Sequence, residues 1–314
     1  MARTRKGDIV NGWVNVDKPV GLTSTQVVGK IRRFYNAQKA GHAGTLDPLA
    51  SGILPVALGE ATKTIPFVQD SLKTYSFTIA WGEQRDTDDS EGAVIATSPV
   101  RPDEAAIRYF LPKYTGEIMQ TPPQYSAIKV DGQRAYDLAR DGQSVDLAAR
   151  PVYVEKLELV ACRGDQADFT MVCGKGTYVR SLARDLALDL GTCGYIAALR
   201  RLKVGPFDTQ SAISLDILGA VDNSAPLKQA LLPAWTVLDD IPALALREDE
   251  AARLRNGQAL AFLSRPDVHR LEVAGVPIGP EPKTALCFFE NRPVAIVEVA
   301  GVNVKPVRVL KLGL

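Results

Sequence analysis

The sequence is poor in the residues that most often bind transition metals or form disulfide bonds. Its 314 residues include two histidines, His42 and His269, and four cysteines, none of them in a Cys-x-x-Cys pair. A histidine-based metal site is therefore nearly excluded. Because no apolar stretch follows the basic residues near the N-terminus, we expect no export signal. We interpret the cysteines as reduced thiols in a cytoplasmic protein.

Long apolar runs and an excess of one charge are also missing. No run approaches the roughly 18–20 apolar residues that a membrane span requires, so no membrane partner is expected. The 37 Lys and Arg balance 36 Asp and Glu, for a net charge of +1, and 46% of the residues are hydrophobic. This composition predicts a globular protein with a sizeable core. At roughly 100–200 residues per domain, the length predicts two domains or one large domain with an appendage.

Charge is nevertheless distributed unevenly along the chain. Residues 1–63 carry nine Lys and Arg against four acids, a net of +5, and residues 174–205 carry six against two, a net of +4. The acids gather in residues 83–104 and 239–250. Basic segments of this kind are typical of nucleic-acid-binding proteins, although solvated faces without a partner have the same composition. We expect the acidic stretches to lie away from any polyanion bound by the basic ones.

The spacing of apolar residues predicts helices and strands in no regular alternation. Thr23 and Gln26 form a possible capping box before a helical pattern. Residues 73–81 alternate between apolar and polar side chains and predict a half-buried strand. Helices are predicted over residues 102–111 and 178–191, the second ending at a glycine. This mixture favours an α+β fold over a doubly wound sheet.

The C-terminal part of the sequence predicts a separate small unit. Residues 219–242, which are rich in Gly, Asn and Pro, indicate a link between domains. Residues 243–283 match no pattern. Short apolar runs separated by turn residues follow, and they predict a small β-barrel; the runs are Ala285–Phe289, Val294–Val299 and Val307–Leu312.

Generic catalytic signatures do not account for the sequence. There is no GxxxxGK[ST] phosphate loop, no GxGxxG after a strand and no GxSxG serine motif. Asp86, Asp88, Ser90 and Gly92 partly resemble a calcium loop, but the glycine is one place late and Thr97 occupies the position of the bidentate Glu. We interpret this acidic loop as a surface turn or as an Asx-rich structural loop.

The segment Gly41–Gly52 is unusual because it holds three glycines, one histidine and one carboxylate in twelve residues. Asp47 precedes Pro48 and must therefore be extended or in a turn. A carboxylate on a glycine-rich loop just before the apolar run Ile53–Leu58 could be a catalytic group positioned by a strand. On this segment alone, the Asp-Pro pair could equally be a simple turn and His42 a hydrogen-bonded core residue.

Gly41–Lys63 (GHAGTLDPLASGILPVALGEATK) resembles the catalytic motif of the TruB family, the bacterial tRNA pseudouridine-55 synthases. Other segments resemble further motifs of the family, occur in the family order and cover residues 12–205 almost continuously. They are Gly12–Ser24, Lys73–Tyr75, Gly82–Gly92, Pro122–Arg140, Gly174–Asp185 and Leu199–Val204.

The resemblance implies an isomerase that converts the T-loop uridine at position 55 of tRNA into pseudouridine. The glycosidic bond would be cleaved and re-formed on a flipped-out base, with no cofactor and no metal. The implied partner is the T-arm stem-loop of tRNA, and the implied state is a cytoplasmic monomer. A synthase for another RNA, or an RNA-binding or RNA-folding protein that keeps the fold, remains an alternative.

The resemblance also implies roles for individual residues. Asp47 would be the catalytic carboxylate, Tyr75 would stack on the extruded base, and Arg180 would pair with Asp47. His42 would fill the space left by the flipped nucleotide. The other substrate-binding candidates lie in matched motif positions, and they are Lys18, Lys63, Leu202 and Gly41.

For the fold, the resemblance implies two domains of an α+β protein. Residues 1–240 would form the catalytic domain around a central mixed, largely antiparallel sheet. Within it, residues of about 122–150 would form a mobile RNA-clamping insertion, although an ordinary surface loop with a short helix would have the same sequence features. Residues 241–314 would form a small PUA-like β-barrel that binds RNA.

Overall fold

Two large β-sheets and two two-stranded sheets organise the described residues in the computed structural model. The structure describes residues 7–126, 129–130, 133–134, 146–219, 228–276 and 278–312. The strands in these ranges are β1 (Gly12–Lys18), β2 (Ala40–His42), β3 (Ser51–Leu58), β4 (Lys73–Trp81), β5 (Glu83–Arg85), β6 (Val94–Thr97), β7 (Gly116–Gln120), β8 (Lys129–Val130), β9 (Gln133–Arg134), β10 (Arg150–Arg163), β11 (Gln166–Cys173), β12 (Gly194–Val204), β13 (Phe207–Asp208), β14 (Ile213–Ser214), β15 (Leu231–Leu232), β16 (Ala243–Ala245), β17 (Leu260–Ala261), β18 (Lys283–Phe289), β19 (Arg292–Ala300) and β20 (Asn303–Val309). The two-stranded sheets are β5–β6 and β8–β9.

Short helices connect these strands. The α-helices are α1 (Ser24–Phe34), α2 (Ile65–Asp70), α3 (Glu104–Phe110), α4 (Val179–Asp189), α5 (Leu215–Gly219), α6 (Glu248–Arg255) and α7 (Arg265–Val273). Single 3₁₀ turns cover Gly59–Lys63, Leu111–Tyr114 and Thr236–Leu238. In the described part of the chain, no helix is long and apolar enough to cross a membrane.

The larger sheet is mixed and mostly antiparallel. Its main path runs β14–β1–β3–β12–β4–β11–β10–β7, with β2, β13 and β15 paired at its side. Two of its pairs, β1 with β14 and β3 with β12, are parallel, and the others are antiparallel. The predicted α+β class with a central mixed sheet is therefore confirmed. Strand β12 joins the two halves of the sheet, because β3 lies on one side of it and β4 on the other.

Local sequence signals place the main elements as expected. The capping box is present at the start of α1, where the Thr23 hydroxyl accepts from the Gln26 amide and the Gln26 side chain accepts from the Thr23 amide. Strand β4 covers the predicted residues 73–81, and Phe77 of this strand stacks on Phe169 of β11 with ring centroids 5.3 Å apart. Helix α4 packs on β12 and buries Leu182 and Leu186.

The C-terminal sheet has the order β16–β18–β19–β20–β17, with α6 and α7 packed beside it. The predicted third strand was placed too late, because a turn at Gly301 and Val302 starts β20 at Asn303. After β20, the chain leaves the sheet and the side chain of Leu310 packs with Leu238, Leu286 and Ile296. The segment that matched no pattern, 243–283, supplies β16, α6, β17 and α7.

The predicted link between domains is partly built into the larger sheet. Leu231 and Leu232 form β15 and pair with Val14 and Trp13 of β1. Residues 220–227 of the link lie outside the described residues, as does most of the predicted insertion after Ser126.

Candidate active site

The loop that carries Asp47 connects β2 to β3 and is held from both sides. On one side, the Ser24 hydroxyl donates to the Leu46 carbonyl at 3.0 Å and accepts from the Leu46 amide at 2.8 Å. On the other, the Ala50 amide donates to the Asp47 carbonyl at 3.1 Å. Gly44 has a φ of +95°, which favours glycine at this point of the loop. The backbone around Asp47 is therefore fixed.

Arg180, at the start of α4, meets the Asp47 carboxylate. Its Nε lies 3.0 Å from Asp47 Oδ2, and its side chain is 5% exposed while that of Asp47 is 33% exposed. The two remaining guanidinium nitrogens donate to the carbonyls of Thr87 and Tyr125, each at 2.9 Å. The pairing expected from the sequence is present, and it leaves one side of the carboxylate open to solvent.

The acidic loop between β5 and β6 lies beside the Asp47–Arg180 ion pair. This position differs from the expected one, in which the acids lie away from any polyanion bound by the basic segments. Asp89 Oδ2 is 3.7 Å from Arg180 Nε, and Asp88 and Asp89 are both buried. Burial raises the pKa of both carboxyl groups, that of Asp88 to about 6. The loop docks here because the Ile196 amide of β12 donates to the Asp88 carbonyl at 3.0 Å. The described residues contain no group of three His, Cys, Asp or Glu able to hold a metal.

Tyr75 lies at the centre of the larger sheet, half-buried on β4. It pairs in register with Met171 of β11 and with Arg201 of β12. Burial raises the pKa of the Tyr75 phenol, while Arg201, which is hydrogen-bonded to it, opposes that shift. The ring is therefore a neutral aromatic surface at physiological pH.

Arg201 is a residue of this site that sequence reasoning did not single out. It is 1% exposed, and its guanidinium donates to the carbonyls of Ile53 at 2.7 Å and Gly44 at 3.1 Å. It thereby ties β12 to the loop that carries Asp47 and also contacts Tyr75. The alternating exposure of a strand could have indicated that Arg200 and Arg201 face opposite sides, but nothing in the sequence says which of them is buried.

Lys18 is fully buried behind the same loop. Its ammonium donates to the carbonyls of Leu22 at 2.6 Å, Pro19 at 2.9 Å and Pro48 at 3.3 Å. Burial lowers its pKa to about 8, against the attraction of Asp47. These contacts hold the backbone at Pro48, directly after Asp47, so Lys18 supports the loop from the protein interior.

The remaining predicted site residues do not all lie next to the loop that carries Asp47. His42 and Gly41 end β2 and are half-buried next to the loop; burial, and then Arg201, lower the pKa of His42. Leu202 is half-buried where the pairing of β12 with β4 shifts between Arg201 and Lys203. Lys63 instead donates to Glu60 and to the Val309 carbonyl of the C-terminal unit, both at 2.6 Å. Within the described residues, its hydrogen bonds are not with Asp47 or Arg180.

This arrangement has the elements of covalent or electrostatic catalysis by a carboxylate. The partly exposed Asp47 carboxylate is held in one orientation by the buried Arg180 guanidinium. The aromatic ring of Tyr75 lies on β4 of the larger sheet. Such a carboxylate can attack or stabilise a cationic carbon centre. This geometry and the large mixed sheet agree with the class of enzyme that the sequence motifs imply, the pseudouridine synthases.

Comparison with known proteins identifies the family. The model of the TruB family pseudouridylate synthase N-terminal domain matches residues 32–179, and that of the tRNA pseudouridylate synthase B C-terminal domain matches residues 180–239. The chain belongs to the TruB family. The boundary between the two models divides the site, since Asp47 and Tyr75 fall in the first and Arg180 and Arg201 in the second.

Relatives match along the whole chain. The tRNA pseudouridine synthase B of Caulobacter vibrioides is 51% identical over 313 residues, covering 99% of this chain and 100% of that protein. The protein of the same name from Rhodospirillum rubrum is 49% identical with the same coverage. A solved structure, described as the crystal structure of a Cbf5-Nop10-Gar1 complex, shares the fold with a TM-score of 0.71 and 24% identity, covering 96% of this chain and 85% of that one.

Proposed function

We propose that this protein converts the uridine at position 55 in the T-loop of tRNA into pseudouridine without a cofactor. The observation that carries the proposal is the ion pair between Asp47 and Arg180, 3.0 Å long, with Tyr75 near enough for the Asp47 charge to act on the pKa of its phenol. Two relatives of about half identity, matched over their full length, bear the name tRNA pseudouridine synthase B and support the choice of tRNA.

The reaction is an isomerisation, so atoms balance within the substrate. The bond between N1 of uracil and C1′ of ribose breaks, the base rotates, and C5 forms the new bond to C1′. The hydrogen on C5 then leaves to water as a proton, and N1 takes up one proton from water. Asp47 captures or stabilises the sugar while the base is detached. Arg180 holds that carboxylate in position and compensates its charge. Tyr75 offers the detached base an aromatic face.

The target base must leave its stack to reach this site. The Asp47 side chain is only one-third exposed and Tyr75 is half-buried, so an extruded nucleotide is needed to contact both. His42, next to the loop, would occupy space vacated by that nucleotide. The basic segments 1–63 and 174–205 contain Asp47 and Arg180 and supply positive charge for phosphate contacts.

We further propose that the C-terminal unit is a PUA-like RNA-binding domain beginning near residue 241. Its five-stranded sheet within the described residues has an open, half-barrel arrangement flanked by two helices. The basic side chains of Lys305 and Arg308 on β20 are exposed and available for phosphates. The unit contacts the larger domain through Lys63 and Leu310, so both parts could hold the same RNA.

Tritium release tests the main proposal against an RNA-binding protein without turnover. A T-arm RNA carrying tritium at C5 of uridine should lose its label to water with the wild type. Asp47→Asn should slow release by on the order of 10⁴-fold with RNA affinity unchanged. Asp165→Asn, which removes the carboxylate of a surface ion pair with Arg101 at the β10–β11 turn, is the matched control and should keep full activity.

The outcomes separate the alternatives. If the wild type binds the RNA and releases no tritium, the protein is a binder and the proposed activity is wrong. If Asp47→Asn is as active as the wild type, the enzyme is real but Asp47 is not its catalytic carboxylate. Release from the T-loop of unrelated RNAs at equal rates would favour a broader substrate range.

A further inference from the structure

A second arginine lies one turn beyond Arg180 on the same face of α4. Arg184 follows Arg180 by four residues, the spacing at which helical side chains are neighbours. Its side chain is 17% exposed, and the carboxylate of its partner Asp88 is 7% exposed. A guanidinium that is largely covered needs partners for most of its donors, so its contacts show what it holds.

Arg184 joins three parts of the chain. Its Nη1 is 2.9 Å from Asp88 Oδ2 on the acidic loop, and its Nη2 donates to the Thr121 carbonyl at 3.0 Å. Its Nε donates to Asp185 on the same helix at 2.9 Å. The forked guanidinium therefore bridges the acidic loop and the segment after β7.

Arg180 bridges the same two segments one turn earlier. It donates to the carbonyl of Thr87, which precedes Asp88, and to that of Tyr125, four residues beyond Thr121. The two arginines thus form successive crosslinks between the acidic loop and residues 121–125. The direction of the Arg180 guanidinium towards Asp47 depends on where the Thr87 carbonyl lies.

Asp88 has a strained backbone conformation that its contacts maintain. Its φ is +59°, a left-handed conformation that residues other than glycine adopt at an energetic cost. Such conformations persist where surrounding contacts hold them. The Ile196 amide holds the Asp88 carbonyl from the β12 side, and Arg184 holds its carboxylate from the α4 side.

We propose that Arg184 is a positioning residue for the reaction: through Asp88 it fixes the acidic loop, and thereby the Thr87 carbonyl that directs Arg180 towards Asp47. Arg184 itself does not touch the substrate. The inference rests on the proposed function, since it concerns how the same carboxylate is aligned. It gives the buried Asp88 a role in the alignment of the site.

The test measures steady-state pseudouridine formation on T-arm RNA, which gives kcat and KM. Arg184→Ala should lower kcat about 10- to 100-fold, the effect of a misplacement near 1 Å, with KM changed less than about threefold. Arg184→Lys keeps the charge but cannot make the forked contacts, so it should recover only part of the rate. Asp88→Asn, which keeps the shape of the side chain, should lower kcat in the same direction.

A double-mutant cycle shows whether Arg184 acts through Asp88. Asp88→Asn combined with Arg184→Ala should be no slower than Arg184→Ala alone, because one contact is removed twice. Arg270→Ala is the matched control: it breaks a comparably buried pair with Glu250 in the C-terminal unit and should leave kcat on the bare T-arm unchanged.

The results distinguish the inference from the function on which it rests. If the wild type shows no turnover, the proposed function is wrong. An active wild type with equal kcat in Arg184→Ala overturns the positioning role alone. Rate losses that multiply in the double variant would also overturn it, as would a loss of kcat in Arg270→Ala equal to that in Arg184→Ala, which would trace the effect to general destabilisation.

Discussion

Gly52 of β3 lies directly against the backbone of Arg201 of β12, and replacing it with alanine should be costly. Its φ is +102°. A Cβ at this position would lie 2.1 Å from the Arg201 carbonyl oxygen and 2.9 Å from the Arg201 carbonyl carbon and amide nitrogen. All three atoms are backbone, so the parallel contact between β3 and β12 would have to open.

The magnitude follows from two contributions to the free energy of unfolding. An alanine in a left-handed conformation costs about 1–2 kcal/mol, and displacing well-packed neighbours costs about 1–3 kcal/mol. Gly52→Ala should therefore lower the free energy of unfolding by about 2–5 kcal/mol. Because Arg201 holds the Gly44 carbonyl, its displacement should also move Asp47 and lower kcat by roughly tenfold or more.

Gly116→Ala is the matched control, because Gly116 has a φ of +90° and a Cβ added there would meet no other atom within 4 Å. It should show the conformational cost alone, with full activity. Urea unfolding followed by tryptophan fluorescence gives both free energies, and their difference should be about 1–3 kcal/mol. Equal losses in the two variants would refute the close approach of β3 to β12 as the reason for glycine at position 52.

Two further predictions concern the acidic loop and the C-terminal unit. Burial raises the pKa of Asp88 from 3.8 to about 6; Arg184 and Arg180 oppose this shift and Asp185 adds to it. The contribution of Asp88 to stability is therefore present below about pH 4 and is lost as the pH rises through about 6. The free energy of unfolding of Asp88→Asn should accordingly rise relative to that of the wild type by on the order of 3 kcal/mol between about pH 4 and pH 7, and a pH-independent difference would contradict this. The combined change Lys305→Ala and Arg308→Ala should weaken binding of full-length tRNA and reduce its salt slope by about 2, while turnover of the bare T-arm stays unchanged; equal effects on both RNAs would count against the PUA-like assignment.

The contact between Asp47 and Arg180 could be predicted from the sequence because the family motifs keep their order and spacing. Asp47 and Arg180 are far apart in the chain, and yet their contact follows from two motifs of one family and is present at 3.0 Å. The capping box of α1 and the strand containing Tyr75 depend on neighbouring residues only, and both are confirmed.

The supporting residues could not be predicted because their positions depend on contacts between distant segments. Arg184 and Arg201 look like ordinary members of a basic stretch. Only the register of β12 shows that Arg201 is buried, and only the face of α4 shows that Arg184 is largely covered. The acidic loop has the composition of a solvated turn, but the two arginines of α4 bring it next to Asp47. Lys63 lies in a family motif, but its contact with Val309 depends on how the C-terminal unit docks.

The position of β12 in the sheet has a consequence for synthesis of the protein on the ribosome. Strands β3 and β4 are complete by Trp81, but the strand that joins them ends at Val204. At roughly 5–20 residues per second, roughly 6–25 s pass between the synthesis of Trp81 and that of Val204. During this time an edge of β3 is open to wrong pairing. A nascent chain that already contains Asp47 and Tyr75 still lacks the arginines that align them. Catalytic competence therefore arises late in translation, when β12 closes the sheet.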